Sequence, residues 1–317
     1  MRYRYRIYGL KVESELEISE AYKECAADRG SVAKADVQVR LADMPQKVKQ
    51  SIKIDGRTGN MLIKGEDFVF FRIKDVADYL VQTSEIRVSA FCEVTLHPVR
   101  TFLLGTAFGI WMIMNNIVAL HGGAAGKDKE GIIITGESGA GKSTITNKLL
   151  SNGWKFVADD VCALTVSAQG VHINMAYPQQ KLCRDAALNM GYRTDDLIYI
   201  DENRDKFAVR LKDGYLSEGA AFSQLYEICF SDTEELRITR LDGIEKLQAV
   251  TRNIYRREAT FDIWGSIPPQ YFKNCLEITK NIDVYRVERP RGRDTVEDIM
   301  RFIDENTRKN SKTDGGT

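Results

Sequence analysis

The sequence predicts an α/β fold with a β-rich N-terminal region, and three observations carry that expectation. Residues 1–98 are dominated by short alternating or apolar runs broken by Gly and Asp, the pattern of strands and hairpins. From residue 99 onward apolar strand patterns alternate with helical ones, the grammar of an α/β core. At one such strand-to-helix junction stands GESGAGKS, Gly136 to Ser143, which has the form GxxxxGK[ST]. The expected organisation is a β-rich region over 1–98, an α/β domain over 99–308 and a disordered tail over 309–317.

In order along the chain, Tyr3, Tyr5 and Ile7 share one face of a first strand, with Arg4 and Arg6 on the other. SIKI and NMLI are separated by DGRTG, and NMLI and FVFF by KGED, so a meander of three strands is expected there. EIRVSAF and EVTLH read as two more strands, with Pro98 as punctuation. TFLLGTAFGIWMIMNNIVAL, residues 101–120, approaches the length of a membrane span, but Asn115 and Asn116 interrupt it, and a helix buried in the core is the expectation. Strand GIIIT, the Gly-rich loop, helix STITNKLLSNG and strand KFVA follow. Beyond them come strands YEICF and LRITRL and helices IEKLQAVTRNIY and PQYFKNCLEITKN. The last helix, DTVEDIMRFIDENT, has Asp294 as its cap.

Composition narrows the function classes. A chain of 317 residues with 43% hydrophobic content can bury a sizeable core. Lys plus Arg and Asp plus Glu each total 45, so no global charge points to nucleic acid or to an anionic membrane. Six cysteines without CxxC pairing, beside three histidines, suggest reduced thiols in a cytoplasmic protein rather than disulfides or a zinc cluster. The opening MRYRYRIYGL has no apolar stretch of the signal-peptide kind. A homo-oligomer is compatible with all of this, and no residue decides it.

The Gly-rich loop carries the first chemical argument. Gly136, Gly139 and Gly141 let the backbone curl around a phosphate chain, and Glu137, Ser138 and Ala140 complete the curl. Its N–H groups then point at the anion from the start of the following helix. Lys142 supplies a point charge to the β- and γ-phosphates, and the hydroxyl of Ser143, with Thr144 beside it, faces a Mg²⁺ ion. ATP and Mg²⁺ are therefore the expected cofactors.

Only 17 residues (159 − 142) separate Lys142 from Asp159 in KFVADD. One helix fits in that interval, so the end of this strand can lie beside the phosphates. Asp159 and Asp160 are then a base and a metal ligand, or two solvated turn residues. Two adjacent carboxylates repel and raise at least one pKa unless a cation is present, which favours the first alternative where Mg²⁺ binds.

The stretch ALHGGAAGKDKEGIIITGESGAGKSTITNKLLSNGWKFVADDV resembles the catalytic core of HPr kinase/phosphorylase and its relatives. That resemblance implies a P-loop core of the HPr kinase and phosphoenolpyruvate carboxykinase type. It covers residues 119–166, with a His, the P-loop and an Asp pair in register; His121 precedes Lys142 by 21 residues (142 − 121). It implies Asp159 as the base that receives the proton of an acceptor serine, Asp160 and Ser143 on the metal side, and His121 in support of the base.

The chain departs from that family after the Asp pair. No LEIRG-type signature is present; VHINMAYPQQKLCRD and DENRDKFAVRL stand in its place, which puts HPr as the substrate and a phosphorylase activity in doubt. The opening YRIYGLKVESEL instead looks like HPr-kinase-like proteins of peptide-tailoring clusters, some of which phosphorylate the C-terminal serine of a lasso-peptide precursor. Lys206, Arg289, Arg291 and Arg293 are candidates for a phosphate clamp, and Tyr177, Pro178 and Gln179 for a pocket wall, against the plainer reading of solvated charges and packing.

The leading expectation is an ATP- and Mg²⁺-dependent serine kinase acting on a peptide or protein. A kinase of a free small-molecule hydroxyl is an alternative within enzymes, and a nucleotide-dependent binding module one outside them. Lys142, Ser143, Asp159, Asp160 and His121 are all present, which a module without catalysis would not require.

Overall fold

In the first strand the alternation acts as expected: Tyr5 and Ile7 are buried and Arg4 and Arg6 exposed. The computed structural model describes residues 2–23, 34–56, 58–91, 96–189, 191–201 and 205–313. Strands β1 (Tyr3–Ile7) and β2 (Leu10–Ser14) pair antiparallel through Tyr8 and Gly9, both at positive φ, the backbone of a tight hairpin. With β3 (Val37–Leu41), β4 (Met61–Lys64), β5 (Val69–Ile73), β6 (Ala77–Val81) and β7 (Glu85–Ala90) they form a seven-stranded sheet in the order β1-β2-β3-β7-β6-β5-β4.

Two sequence-based expectations fail in this region. SIKI is not a strand; it lies inside helix α1 (Gln46–Asp55). Val48 and Ile52, four residues apart, pack with Met44, Phe68 and Phe70, and Gly56 closes the helix in the left-handed conformation. The period-two look of I-K-I was a fragment of a helical face. Of EVTLH, residues 93–95 lie outside the described residues, and Leu96 and His97 open helix α2 (Leu96–Phe102). Pro98 sits in its first turn, where no N–H is needed.

The apolar run is helical and buried, but it ends earlier than residue 120. A π-helical turn (Leu103–Ala107) joins α2 to α3 (Phe108–Met114), and Leu103, Leu104, Phe108, Ile110, Trp111, Met112 and Ile113 are buried. Among the described residues no helix is long and apolar enough to cross a membrane. These helices join the two halves: buried side chains of the N-terminal sheet, of α2–α3 and of the second sheet form one continuous cluster.

The second sheet contains β8 (Ala119–Lys127), β9 (Glu130–Gly136), β10 (Lys155–Ser167) and β11 (Gly170–Ile173). Between β9 and β10 runs α4 (Lys142–Ser151). A small separate sheet follows, β12 (Gln179–Cys183), β13 (Ile198–Asp201) and β14 (Lys206–Arg210), with α5 (Arg184–Asn189) between β12 and β13. Strands β15 (Ala220–Ser231), β16 (Arg237–Leu241) and β17 (Asp283–Pro290) complete the large sheet in the order β11-β10-β8-β9-β15-β17-β16. Pairing is parallel only between β9 and β15 and between β15 and β17. The Ile-Ile-Ile of β9 is buried on both faces: Ile133 joins the cluster shared with the N-terminal half, while Ile132 and Ile134 join the cluster with Ile145, Leu149, Ile299 and Ile303.

Helices α6 (Gly243–Arg252), α7 (Arg257–Trp264) and α8 (Pro269–Asn281) contribute buried residues to the first cluster. Helix α9 (Val296–Thr313) lies in the second, and Asp294 Oδ1 accepts from Val296 N at 3.0 Å as the capping expectation required. This helix continues to Thr313, so residues 309–313 of the expected disordered tail are helical instead; residues 314–317 lie outside the described residues. Cys162, Cys183, Cys229 and Cys275 are free thiols, while Cys25 and Cys92 lie outside the described residues.

Tyr271 on α8 is fully buried, and its hydroxyl accepts from the Ala119 N–H at 3.1 Å at the start of β8. Tyr271→Phe leaves that N–H unpaired in the core. The expected loss is about 1–3 kcal/mol of unfolding free energy, read as a lower urea midpoint at unchanged m-value.

Candidate functional site

The site is built around β8, whose sequence ALHGGAAGK places small residues between two chemical groups. On one side Gly122 pairs with Thr135, the residue before the Gly-rich loop. On the other, Gly122 pairs with Asp160 and Gly123 with Asp159. The main chains of Thr135 and Asp160 are thus two strand spacings apart, about 9.5 Å at ordinary strand spacing, with the loop opening just beyond Thr135. The glycines are required: a Cβ on Gly122 would lie 2.4 Å from the Ile134 carbonyl oxygen, and one on Gly123 2.5 Å from Thr146 Oγ1 of α4.

The loop itself takes the shape its glycines predict. Gly136, Gly139 and Gly141 all have positive φ, and a Cβ on Gly136 would lie 1.9 Å from the Ile228 carbonyl oxygen. Ser138, Gly139, Ser143 and Thr144 are exposed. No side chain caps the N-terminus of α4, so its first N–H groups are open to an anion. Lys142 Nζ donates to the carbonyls of Gly136 and Glu137 at 2.8 and 2.9 Å, folding its charge over the loop. From behind, buried Arg289 donates from Nη1 to the Ala140 carbonyl and from Nε to Thr295 Oγ1, both at 2.8 Å. This arginine braces the loop backbone. Arg291 lies over the Phe230 ring, and Arg293 is exposed.

The Asp pair is not at a strand end. Strand β10 runs on to Ser167, and both aspartates sit in its middle. What re-aims them is backbone geometry: a bulge between Phe156 and Ala158, and a positive φ of 71° at Asp160, uncommon for a residue with a side chain. Asp160 Oδ1 lies 3.3 Å from His121 Nδ1, and its Oδ2 accepts from Lys181 Nζ at 2.9 Å. Asp159 Oδ2 accepts from the Lys181 main-chain N–H at 2.7 Å.

The two carboxyls therefore differ electrostatically. Burial pushes Asp159 above the ordinary carboxylate value, and the charge of Asp160 adds to it, while the Lys181 N–H pulls the other way. Burial would raise Asp160 too, but Lys181 and His121 outweigh it and hold the group well below the usual range. Lys181 in turn is raised because Asp160 outweighs the cost of its burial. His121 is fixed through its main chain, N–H to the Asn253 carbonyl at 2.8 Å.

A cavity of about 750 Å³ opens in front of these groups. Ser138, His121, Asp160, Lys181, Lys206, Tyr177 and Gln179 are among its lining residues. Glu20, His97, Thr101, Phe102 and Leu104, from the N-terminal half and the apolar helix, line it as well. A second cavity of about 790 Å³, also lined by His121, Gly136 and Glu137, holds the buried Glu227 paired with Arg252 and Arg286, with Arg256 and Arg257 elsewhere on its wall. Arg256, at positive φ, borders both. Among the described residues no group of three or more His, Cys, Asp or Glu side chains could hold a metal ion on its own.

Of the expected residues, Ser138 of the loop, His121, Asp160, Lys206, Tyr177 and Gln179 share this cavity, while Asp159 lies behind it on the Lys181 main-chain N–H and Gly136 and Glu137 line the second cavity. Pro178 serves the backbone, its carbonyl accepting from Leu211 N at 2.8 Å. Lys181 escaped the sequence reading because YPQQKL carries no motif; only the placement of β12 against β10 brings it to the carboxylates.

No protein-family model and no curated protein matches the chain. Among solved structures it is similar to the HPr(Ser) kinase/phosphatase from Coxiella burnetii, at 14% identity and a TM-score of 0.32, over 62% of this chain and 94% of that one. So low a score carries no weight for function, which rests on the residues described above.

Gly136→Ala places a Cβ against the Ile228 carbonyl at a φ no alanine adopts readily. The expected outcome is a loss of more than about 2 kcal/mol, seen as a lowered thermal midpoint.

Proposed function

We propose that this chain is an ATP- and Mg²⁺-dependent kinase that transfers the γ-phosphoryl group to a serine hydroxyl of a peptide or protein. The observation that carries the reading is the β8 register, which sets the strand leading into an anion-ready loop and the strand of the carboxylate pair on either side of Gly122, with Ser138 and Asp160 on the wall of one cavity. A triphosphate seated in the loop spans the gap between them.

The residues divide the work by their surroundings. The N–H groups of the loop and of the first turn of α4 hold the phosphates, and Lys142 exchanges its carbonyl partners for phosphate oxygens. Asp159, the carboxyl with the raised proton affinity, takes the proton of the acceptor hydroxyl as that oxygen bonds to phosphorus and the bond to ADP breaks. Lys206, on the wall of the same cavity, supplies positive charge to the transferred group. His121 keeps Asp160 in place. Ser143, exposed at the start of α4, and Asp160, whose oxygens now face His121 and Lys181, are the residues that would hold Mg²⁺, with phosphate oxygens and water as the rest of its shell. When bound, the ion neutralises phosphate charge.

Glu20 and His97 of the N-terminal half line the same cavity, so that half takes part in acceptor recognition. The finer reading, a lasso-peptide precursor with a C-terminal serine, is supported by the opening YRIYGLKVESEL alone.

The test is incubation with γ-labelled ATP and a pool of serine-containing peptides, with and without EDTA. Label on peptide serine in the presence of Mg²⁺ is expected; saturable ATP binding without transfer to any hydroxyl would favour the binding-module reading. Asp159→Asn is expected to slow transfer by roughly 10²–10⁴-fold with ATP affinity unchanged, measured by transfer rate and direct titration. Lys142→Ala removes a charge-assisted contact and is expected to weaken ATP binding by roughly 10–150-fold.

A further inference from the structure

Two adjacent carboxylates in a half-buried strand interior repel each other, and something must hold them together before any ligand arrives. Lys181 touches both. Its main-chain N–H reaches Asp159 Oδ2 at 2.7 Å, and its ammonium reaches Asp160 Oδ2 at 2.9 Å, from one residue in the middle of β12. The other oxygen of Asp160 faces His121 at 3.3 Å. Both oxygens of Asp160 are thus engaged by the protein.

The placement of β12 is itself secured. Gln180 donates from Nε2 to Asn147 Oδ1 of α4 at 2.8 Å, and β12 pairs along its length with β14, which carries Lys206. Lys181 is about a quarter exposed and lines the cavity, so its ammonium is at the site rather than behind it. A lysine is a compact, rotatable point charge, suited to stand where a cation is needed.

We propose that Lys181 is a positioning residue that acts as a resident cation for the Asp159–Asp160 pair. It holds the site assembled in the absence of metal, so that a divalent ion is taken up with the nucleotide phosphates and not by the protein alone. The consequence for phosphoryl transfer rests on the kinase reading; the tether does not. The absence of a three-ligand cluster among the described residues agrees with this, as does the hold on Asp160 from both sides.

The experiment is thermal unfolding without nucleotide, with and without millimolar MgCl₂ at constant ionic strength. It compares wild type, K181M, K181R, D160N and the double variant D160N/K181M. Wild type and K181R are expected to melt at one temperature regardless of Mg²⁺. K181M is expected to melt several degrees lower and to recover with MgCl₂, because the unbalanced pair then recruits the ion. The double variant, with one carboxylate charge removed, is expected to regain much of the lost Tm and to ignore Mg²⁺.

A wild type stabilised by MgCl₂ as strongly as K181M would overturn the proposal. So would a K181M that melts like wild type, or a double variant that melts as low as K181M, since the loss would then come from packing. If K181M does not fold, recovery of folding in the double variant is the expected result and its failure the contrary one. Since no nucleotide is present, a chain that binds no ATP would sink the kinase reading and leave this one standing.

Discussion

Everything at the site depends on β8 being both narrow and central. This strand pairs antiparallel with the loop-bearing β9 on one edge and with the aspartate-bearing β10 on the other. Gly122 and Gly123 let the Ile134 carbonyl and Thr146 approach where any side chain would collide. That close packing sets the gap between anion site and carboxylates at two strand spacings. A larger residue would push α4 or β9 away and change the gap on which the proposed phosphoryl transfer would depend, since such catalysis is mainly positioning. The same strand delivers His121, whose main chain is pinned by Asn253 and whose ring faces Asp160.

From that constraint the electrostatics follow. A mid-strand position buries the aspartates more than a turn would, and burial raises a carboxyl's proton affinity. Lys181 and His121 outweigh this for Asp160, whereas at Asp159 the Lys181 N–H only partly offsets it, leaving Asp159 with the higher affinity. Identical side chains in consecutive positions thereby acquire different chemistry from their neighbours. The N-terminal half enters through the helices between Leu96 and Met114, which share one core with both sheets and bring His97, Thr101 and Phe102 to the cavity wall.

What the sequence made legible was whatever local chemistry dictates. The loop glycines, the strand before them and the helix after them are local requirements, and all three appear where expected. The strand alternation of Tyr3–Ile7 was legible for the same reason. SIKI misled because four residues cannot separate a two-residue period from one turn of a helical face. The position of the Asp pair misled differently: two charges look like the end of a buried strand, whereas a bulge and a left-handed residue let β10 carry them onward to Ser167. Lys181 and the brace from Arg289 depend on β12 and β17 arriving from far along the chain, and nothing in YPQQKL or RPRGRD announces those meetings.

The claim at the centre of this account is that loop and carboxylates form one site. The most direct measurement is a crystal structure of the protein with Mg²⁺ and a non-hydrolysable ATP analogue. The expected result places the β- and γ-phosphates in the loop 136–143, with the terminal phosphate toward Asp159 and Asp160 and the metal between Ser143 and Asp160. A terminal phosphate directed instead into the arginine-lined cavity around Glu227, away from the aspartates, would contradict it.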